Sequence, residues 1–213
     1  MSKKNDLNAP IVTCARHRMQ CDGQGITTLV VFYGCPLRCR WCINPFTYDP
    51  AVRRTMMTPQ QLYDRVKIDD LYFLATGGGI TFGGGEPLLY PDFLAQFREI
   101  APESWHICAE TSLAVPWENV EKAAGCIDLF YVDCKDANPE IYRSYTGADN
   151  QRMIDNLQKL LALVSPERII LRIPLIPEYN TAEDQLSSRL FFEKMGITQF
   201  DLFSYQLPKA TKD

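Results

Sequence analysis

Thr27-Thr28-Leu29-Val30-Val31-Phe32-Tyr33-Gly34 runs straight into Cys35-Pro36-Leu37-Arg38-Cys39-Arg40-Trp41-Cys42. The first half is β-branched and aromatic and stops at a glycine, the pattern of a buried strand. The second half is a C-x3-C-x2-C loop at the strand's C-terminal end. Thiolates this close together can converge on one soft metal centre, and iron–sulfur clusters are held by thiolates. A structural zinc site would want a fourth ligand nearby, in a second C-x2-C or an H-x3-H. None follows, and the chain has only two His. Three ligands leave one iron of a cubane open to bind something else.

Outward from this stretch, apolar runs and periodic segments alternate. Thr58-Pro59-Gln60-Gln61 starts a helix, with Thr58 as N-cap, Pro59 in the first turn and Gln61 closing a capping box. Residues 80–82 are a short strand running into Gly83-Gly84-Gly85-Glu86, and Phe93, Leu94, Phe97 and Ile100 follow at helical spacing. A third strand spans 105–108, a helix 116–124 ends at Gly125, and a fourth strand spans 128–134. Met153, Ile154, Leu157, Leu160, Leu161 and Val164 mark an amphipathic helix. A fifth strand at 168–173, a helix opened by Thr181-x-x-Asp184 and closed by Gly196, and a sixth strand at 200–204 complete the pattern.

Strands alternating with helices of this length predict right-handed βαβ units and a parallel sheet. Six units cannot close an eight-stranded barrel. The fold class is therefore α/β, an open partial (βα)6 barrel with parallel strands, short at the C-terminus; a doubly wound sheet is the alternative. In either case the loops at the strand C-termini form the site. Residues 1–25 read as an N-terminal approach segment and 26–213 as a single domain, with no internal repeat or low-complexity tract.

Bulk composition narrows the function classes. The 213 residues are 46% hydrophobic and 23% charged, with a net charge of −4 and no basic run, which argues against a nucleic-acid partner. The polar start, residues 1–10, is not a signal peptide, and the apolar runs are strand-length and broken by Arg168 and Arg172, so no membrane is expected. The expected location is the cytoplasm, where eight cysteines are thiols or metal ligands rather than a disulfide framework. Cys108, Cys126 and Cys134 read as small buried hydrophobes in or beside strands.

Two further constellations carry chemistry. Glycines after a strand let backbone approach a ligand closely, and Glu86 adds a negative charge suited to an ammonium group. The plainer reading is a tight strand-to-helix turn; no G-K-[ST] follows to make it a phosphate loop. Asp133 and Lys135 stand two apart on one face of a strand, and Arg172 interrupts a greasy one between Ile170 and Pro174. Buried charges need a pair or a ligand, so each reads either as a ligand contact or as an internal ion pair.

At these residues the chain resembles the radical S-adenosylmethionine superfamily and, more closely, the activating enzymes of glycyl radical enzymes, like the pyruvate formate-lyase activating enzyme. Cys21-Asp22-Gly23-Gln24-Gly25-Ile26 is similar to the family's H-D-G-P-G-I, with Cys21 and Gln24 departing. Residues 34–45 match G-C-P-L-R-C-x-W-C-x-N-P. Thr81-Phe82-Gly83-Gly84-Gly85-Glu86-Pro87, Asp133-Cys134-Lys135 and Arg172-Ile173-Pro174-Leu175-Ile176-Pro177 follow in family order.

The resemblance implies one 4Fe-4S cluster on Cys35, Cys39 and Cys42, whose open iron chelates S-adenosylmethionine. One injected electron then breaks a carbon–sulfur bond and releases a 5′-deoxyadenosyl radical. It implies cofactor contacts at Gly84, Gly85, Glu86, Asp133, Cys134, Lys135 and Arg172, with Lys135 suited to the cofactor carboxylate or ribose. Trp41, with Ile43, would lie against the adenine. Glu110-Thr111 stands where the family shows Asp-Thr, and with Asp133 it implies a monovalent cation site. Gln206 replaces a family His and keeps only a binding role. The partners implied are a glycyl radical enzyme as protein substrate and flavodoxin or ferredoxin as electron donor. The short C-terminus leaves a site open enough for a large substrate. A radical S-adenosylmethionine enzyme with a small-molecule substrate and a non-catalytic metal-binding module are the alternative readings.

Overall fold

The computed structural model describes residues 7–19 and 21–206. Residues 1–6 of the expected approach segment and 207–213 of the expected short C-terminus lie outside the described residues. In chain order the strands are β1 (Ala9–Met19), β2 (Ile26–Phe32), β3 (Thr55–Met57), β4 (Gly79–Gly84), β5 (His106–Thr111), β6 (Leu129–Asp133), β7 (Ile169–Leu175) and β8 (Gln199–Ser204). The helices are α1 (Pro59–Val66), α2 (Asp70–Thr76), α3 (Pro91–Ile100), α4 (Trp117–Ala124), α5 (Pro139–Thr146), α6 (Gln151–Leu163) and α7 (Ala182–Met195).

All eight strands form one sheet in the order β3-β1-β2-β4-β5-β6-β7-β8. The six strands from β2 to β8, β3 aside, pair in parallel, as the six apolar runs predict. The sheet stays open, with β3 and β8 at its two edges. Parallel strands covered by helices are buried on both faces, and Ile80 and Phe82 of β4 are fully buried. Phe82 packs edge-on against Phe32 of β2 and Phe97 of α3, with centroids 5.7 and 5.3 Å apart. Each such side chain contributes roughly 1.5–3 kcal/mol of burial energy. The capping boxes at Thr58/Gln61 and Thr181/Asp184 form, and Gly196 takes the left-handed C-cap after α7.

Two strands and two helices go beyond the sequence reading. β1, within the expected approach segment, pairs antiparallel with both β2 and β3. It has no clean alternation because register shifts interrupt it, one of them at Arg16 and His17, and His17 sits at φ 57°. Asp69, just before α2, holds this irregular stretch. It is fully buried and accepts from Arg16 Nε at 2.8 Å and from Thr28 Oγ1 at 3.1 Å. Those bonds, Arg16's foremost, hold its carboxyl below the usual range. Helix α2 buries only Phe73, so it carries no apolar stripe. Helix α5 is announced by Asn138, whose side chain caps it, and by Pro139. Among the described residues no helix is long and apolar enough to cross a membrane.

Candidate active site at the strand C-termini

The parallel strands all end on one side of the sheet, where four charged side chains stand in a row. Asp133, the last residue of β6, pairs in register with Arg172 of β7. Arg172 donates through Nε to Asp133 Oδ1 and through Nη1 to Glu110 Oε1 of β5, both at 2.7 Å. Lys135 Nζ lies 3.4 Å from Asp133 Oδ2 and donates to Tyr205 Oη, just past β8, at 3.0 Å. The row thus spans four neighbouring strands and is neutral as a whole.

Its electrostatics follow from burial and pairing. Burial alone would lift the Asp133 carboxyl, but Arg172 and Lys135 together hold it below the usual carboxylate range. Glu110 is raised, since burial outweighs the single guanidinium beside it. Burial works against the charge on Lys135, yet Asp133 and then Tyr205 and Cys39 keep it protonated well above the normal lysine range. Arg172 occupies the place between Glu110 and Asp133 where the sequence reading put a monovalent cation.

The glycine turn is built for close backbone approach. Gly84 adopts φ +81° with Val31 where a Cβ would sit, and a Cβ on Gly85 would meet the Gly34 and Phe32 carbonyls. Gly85 N–H donates to Phe32 O and Glu86 N–H to Gly34 O, at 3.2 and 2.7 Å, lacing the turn to the start of the cysteine loop. Asn44 Nδ2 reaches the Gly84 carbonyl at 3.3 Å from the loop's other end. Glu86 itself is 1% exposed. Its Oε1 accepts from Thr111 Oγ1 at 2.7 Å and from Leu88 N–H at 3.2 Å. Its Oε2 accepts from Ser112 N–H and Oγ at 2.9 and 2.6 Å. Glu86 and Thr111 therefore brace the turn from below rather than offering a free carboxylate. Burial is the first influence on Glu86 and raises its pKa despite these bonds.

The cysteine loop lies against α5: Arg38 N–H donates to Thr146 O at 2.9 Å and Arg40 N–H to Tyr145 O at 3.0 Å. Cys35, Cys39 and Cys42 are half-buried free thiols. Burial, then Glu86, then the other two cysteines push Cys35 up to about 12. Burial also raises Cys39, against the pull of Lys135. Among the described residues no three His, Cys, Asp or Glu side chains stand in a metal-holding group.

Two observations fit this loop to a metal–sulfur cluster. The donor set is three soft thiols, with Lys135 as a cation acting on Cys39. In addition, the fully buried hydroxyl of Tyr142, on the helix α5 that carries the loop, has no hydrogen-bond partner among the described residues. A buried unsatisfied donor costs about 1–3 kcal/mol, and a cluster's sulfurs are acceptors.

The remaining sequence candidates fall as follows. Trp41 and Ile43 are 36% and 84% exposed at the loop's rim. Cys134 points to the opposite face from its neighbours and is buried in the core. Gln206 is exposed beyond β8, and Tyr205 is the residue of that pair that joins the row. Ser112, Asn44 and Tyr205 carry no role in the sequence reading, although Asn44 lies inside a quoted motif and Tyr205 stands next to Gln206. After Ser112 the chain passes through Leu113 at φ 53°, secured by Asn156 Nδ2 on the Leu113 and Val115 carbonyls, both at 2.8 Å. A cleft of about 610 Å³ opens beside Pro36, Leu37, Trp117 and Arg152, away from the charged row.

A profile of the Radical SAM superfamily matches residues 29–189. The (2S)-3-sulfopropanediol dehydratase activating enzyme of Klebsiella oxytoca is 30% identical, over 75% of this chain and 69% of that protein. The pyruvate formate-lyase-activating enzyme of Clostridium pasteurianum is 30% identical over 78% and 68%, respectively. The indoleacetate decarboxylase activating enzyme of Tractidigestivibacter scatoligenes is 27% identical over 89% and 85%. Among solved structures, SuiB of Streptococcus suis superposes with a TM-score of 0.62 at 16% identity, over 84% of this chain and 39% of that one. QueE from Escherichia coli gives 0.53 at 12% identity, over 94% and 99%. At such identities the structural likeness speaks for the fold alone.

Proposed function

This chain belongs to the radical S-adenosylmethionine superfamily, and we propose that it is an activase that takes a hydrogen atom from a backbone glycine of a partner glycyl radical enzyme. The observation that carries the reading is kinship: relatives at 30% identity over three quarters of the chain activate enzymes of that kind. When bound, the 4Fe-4S cluster and S-adenosylmethionine supply reductive carbon–sulfur cleavage and a 5′-deoxyadenosyl radical as hydrogen acceptor. The electron would come one at a time from flavodoxin or ferredoxin, in a reducing cytoplasm suited to free thiols.

The chain's own residues have separable tasks in this reading. Cys35, Cys39 and Cys42 would hold three irons, leaving the fourth open. The Gly84–Gly85 backbone would pass close along the cofactor's amino-acid end. Lys135, kept protonated by Asp133, would meet its carboxylate or ribose, and Arg172 would hold Asp133 in line. Trp41 and Ile43, exposed at the rim, would close over the adenine. A sheet that is not closed between its edge strands β3 and β8 would leave room for a substrate as large as a protein loop. No general base is needed, because hydrogen leaves as an atom.

The test is anaerobic reconstitution with iron and sulfide, followed by dithionite and S-adenosylmethionine. The expected product is 5′-deoxyadenosine, and with the partner added, a glycyl radical doublet in electron paramagnetic resonance. A loaded cluster that yields no 5′-deoxyadenosine would overturn the enzyme reading. 5′-Deoxyadenosine without a radical on a glycyl radical enzyme encoded beside this gene would point to a small-molecule substrate.

A further inference from the structure

Resting on the reading above, we propose that Tyr142 is a dedicated hydrogen-bond donor to the cluster, reaching the sulfur at Cys39 or the inorganic sulfide next to it, and thereby sets the cluster's reduction potential. Its ring is fully buried and its hydroxyl has no hydrogen-bond partner among the described residues. Buried polar groups are almost always satisfied, so each exception calls for an absent partner. The place of this one is informative. Tyr142 and Tyr145 stand three apart on α5, on one helical face, and the final turn of that helix is bonded directly to the backbone of Arg38 and Arg40, which flank Cys39.

The surroundings point the same way. The charges that act on the Tyr142 hydroxyl are those of Cys134, Cys39, Lys135 and Glu86: the first faces the core, and the others belong to the cysteine loop, the charged row and the glycine turn. Burial keeps the phenol neutral, so it retains a proton to donate. Tyr145 is the weaker candidate, because it faces Tyr179 and Tyr205, with ring centroids 5.1 and 6.3 Å away. Hydrogen bonds to cluster sulfurs stabilise the reduced, more negative state and raise the potential.

The experiment compares wild type with Tyr142→Phe after anaerobic reconstitution, by redox titration of the cluster's paramagnetic signal in the absence of S-adenosylmethionine. Cluster loading should match wild type while the midpoint moves negative. The expected size is about a tenfold lower reduced-to-oxidised ratio at fixed potential, ~59 mV for one electron. Metal-free Tyr142→Phe should melt no lower than metal-free wild type, because no protein hydrogen bond is lost. An unmoved midpoint at full loading overturns the inference. So does a metal-free variant that melts lower or fails to fold, since the hydroxyl would then have a protein partner. A wild-type chain that takes up no cluster breaks the radical S-adenosylmethionine reading instead.

Discussion

The charged row and the cysteine loop share one end of the sheet, yet they reach it in opposite states. In the row every charge is matched by another side chain: Glu110 and Asp133 by Arg172, Asp133 again by Lys135, and Lys135 by the Tyr205 hydroxyl. In the loop three thiols are half-buried with raised pKa values at Cys35 and Cys39, and the Tyr142 hydroxyl behind them lacks a partner among the described residues. The row is finished by folding, whereas the loop is finished by a ligand. A buried charge cannot stand unpaired without a cost of several kcal/mol, so the row must complete itself. A thiol can wait as its neutral form.

The largest break in this contrast is Cys39→Ala. Cluster absorbance and 5′-deoxyadenosine should fall to background, while the row, and with it the thermal melt of the metal-free chain, stays intact. A normal cluster on Cys39→Ala would remove Cys39 from the ligand set.

Next is Arg172→Leu, which leaves half-buried Glu110 without its partner and Asp133 with Lys135 alone, and should lower stability in urea melts by about 1–3 kcal/mol. Its pH profile sharpens the point. In wild type the Asp133 pKa is depressed, so its contribution is complete above about pH 4, the unfolded value, and is lost as pH falls through the folded one. Without Arg172, burial dominates, and Glu110 and Asp133 would bind protons more readily folded than unfolded. The variant should therefore gain more stability between pH 7 and 4 than wild type, in which Glu110 is already raised but Asp133 is held down. Parallel profiles would mean that the guanidinium is not what balances the row.

Glu86→Gln tests the brace under the glycine turn. An amide set against the Thr111, Ser112 and Leu88 donors loses acceptors and should cost about 1–3 kcal/mol, with weaker S-adenosylmethionine binding by calorimetry. Unchanged binding would separate the turn from the cofactor. The smallest effect is Thr58→Ala at the α1 cap, about 1 kcal/mol by chemical melt, with cluster uptake untouched.

How much could be read in advance differs between the same two regions. The six parallel strands, the two capping boxes and the cysteine loop were legible because each rests on local pattern: β-branched runs, T-x-x-Q or T-x-x-D starts, thiol spacing. An Asp133–Lys135 ion pair was one of the two readings the sequence offered, but Arg172 as the partner of both Asp133 and Glu110 was not. Their pairing depends on β6 and β7 being neighbours in register. Ser112 gave no signal, since its hydroxyl matters only because Glu86 folds back onto it. β1 was missed for a physical reason as well. Its shifted register and Asp69-anchored Arg16 replace the alternation that betrays a strand, and β3 has three residues.

That overlooked strand has a consequence for the cysteine loop. Ile11 of β1 is paired on one side with Phe32 and on the other with Thr55, so residues 33–54 leave and re-enter the sheet at two points fixed by a single residue. Joining the ends of a free segment that long loses roughly 3 kcal/mol of chain entropy. Here the antiparallel edge absorbs that loss during folding. What remains for metal uptake is the ordering of a short arc from Cys35 to Cys42, and a strand that bears none of the three ligands becomes a determinant of how tightly they hold.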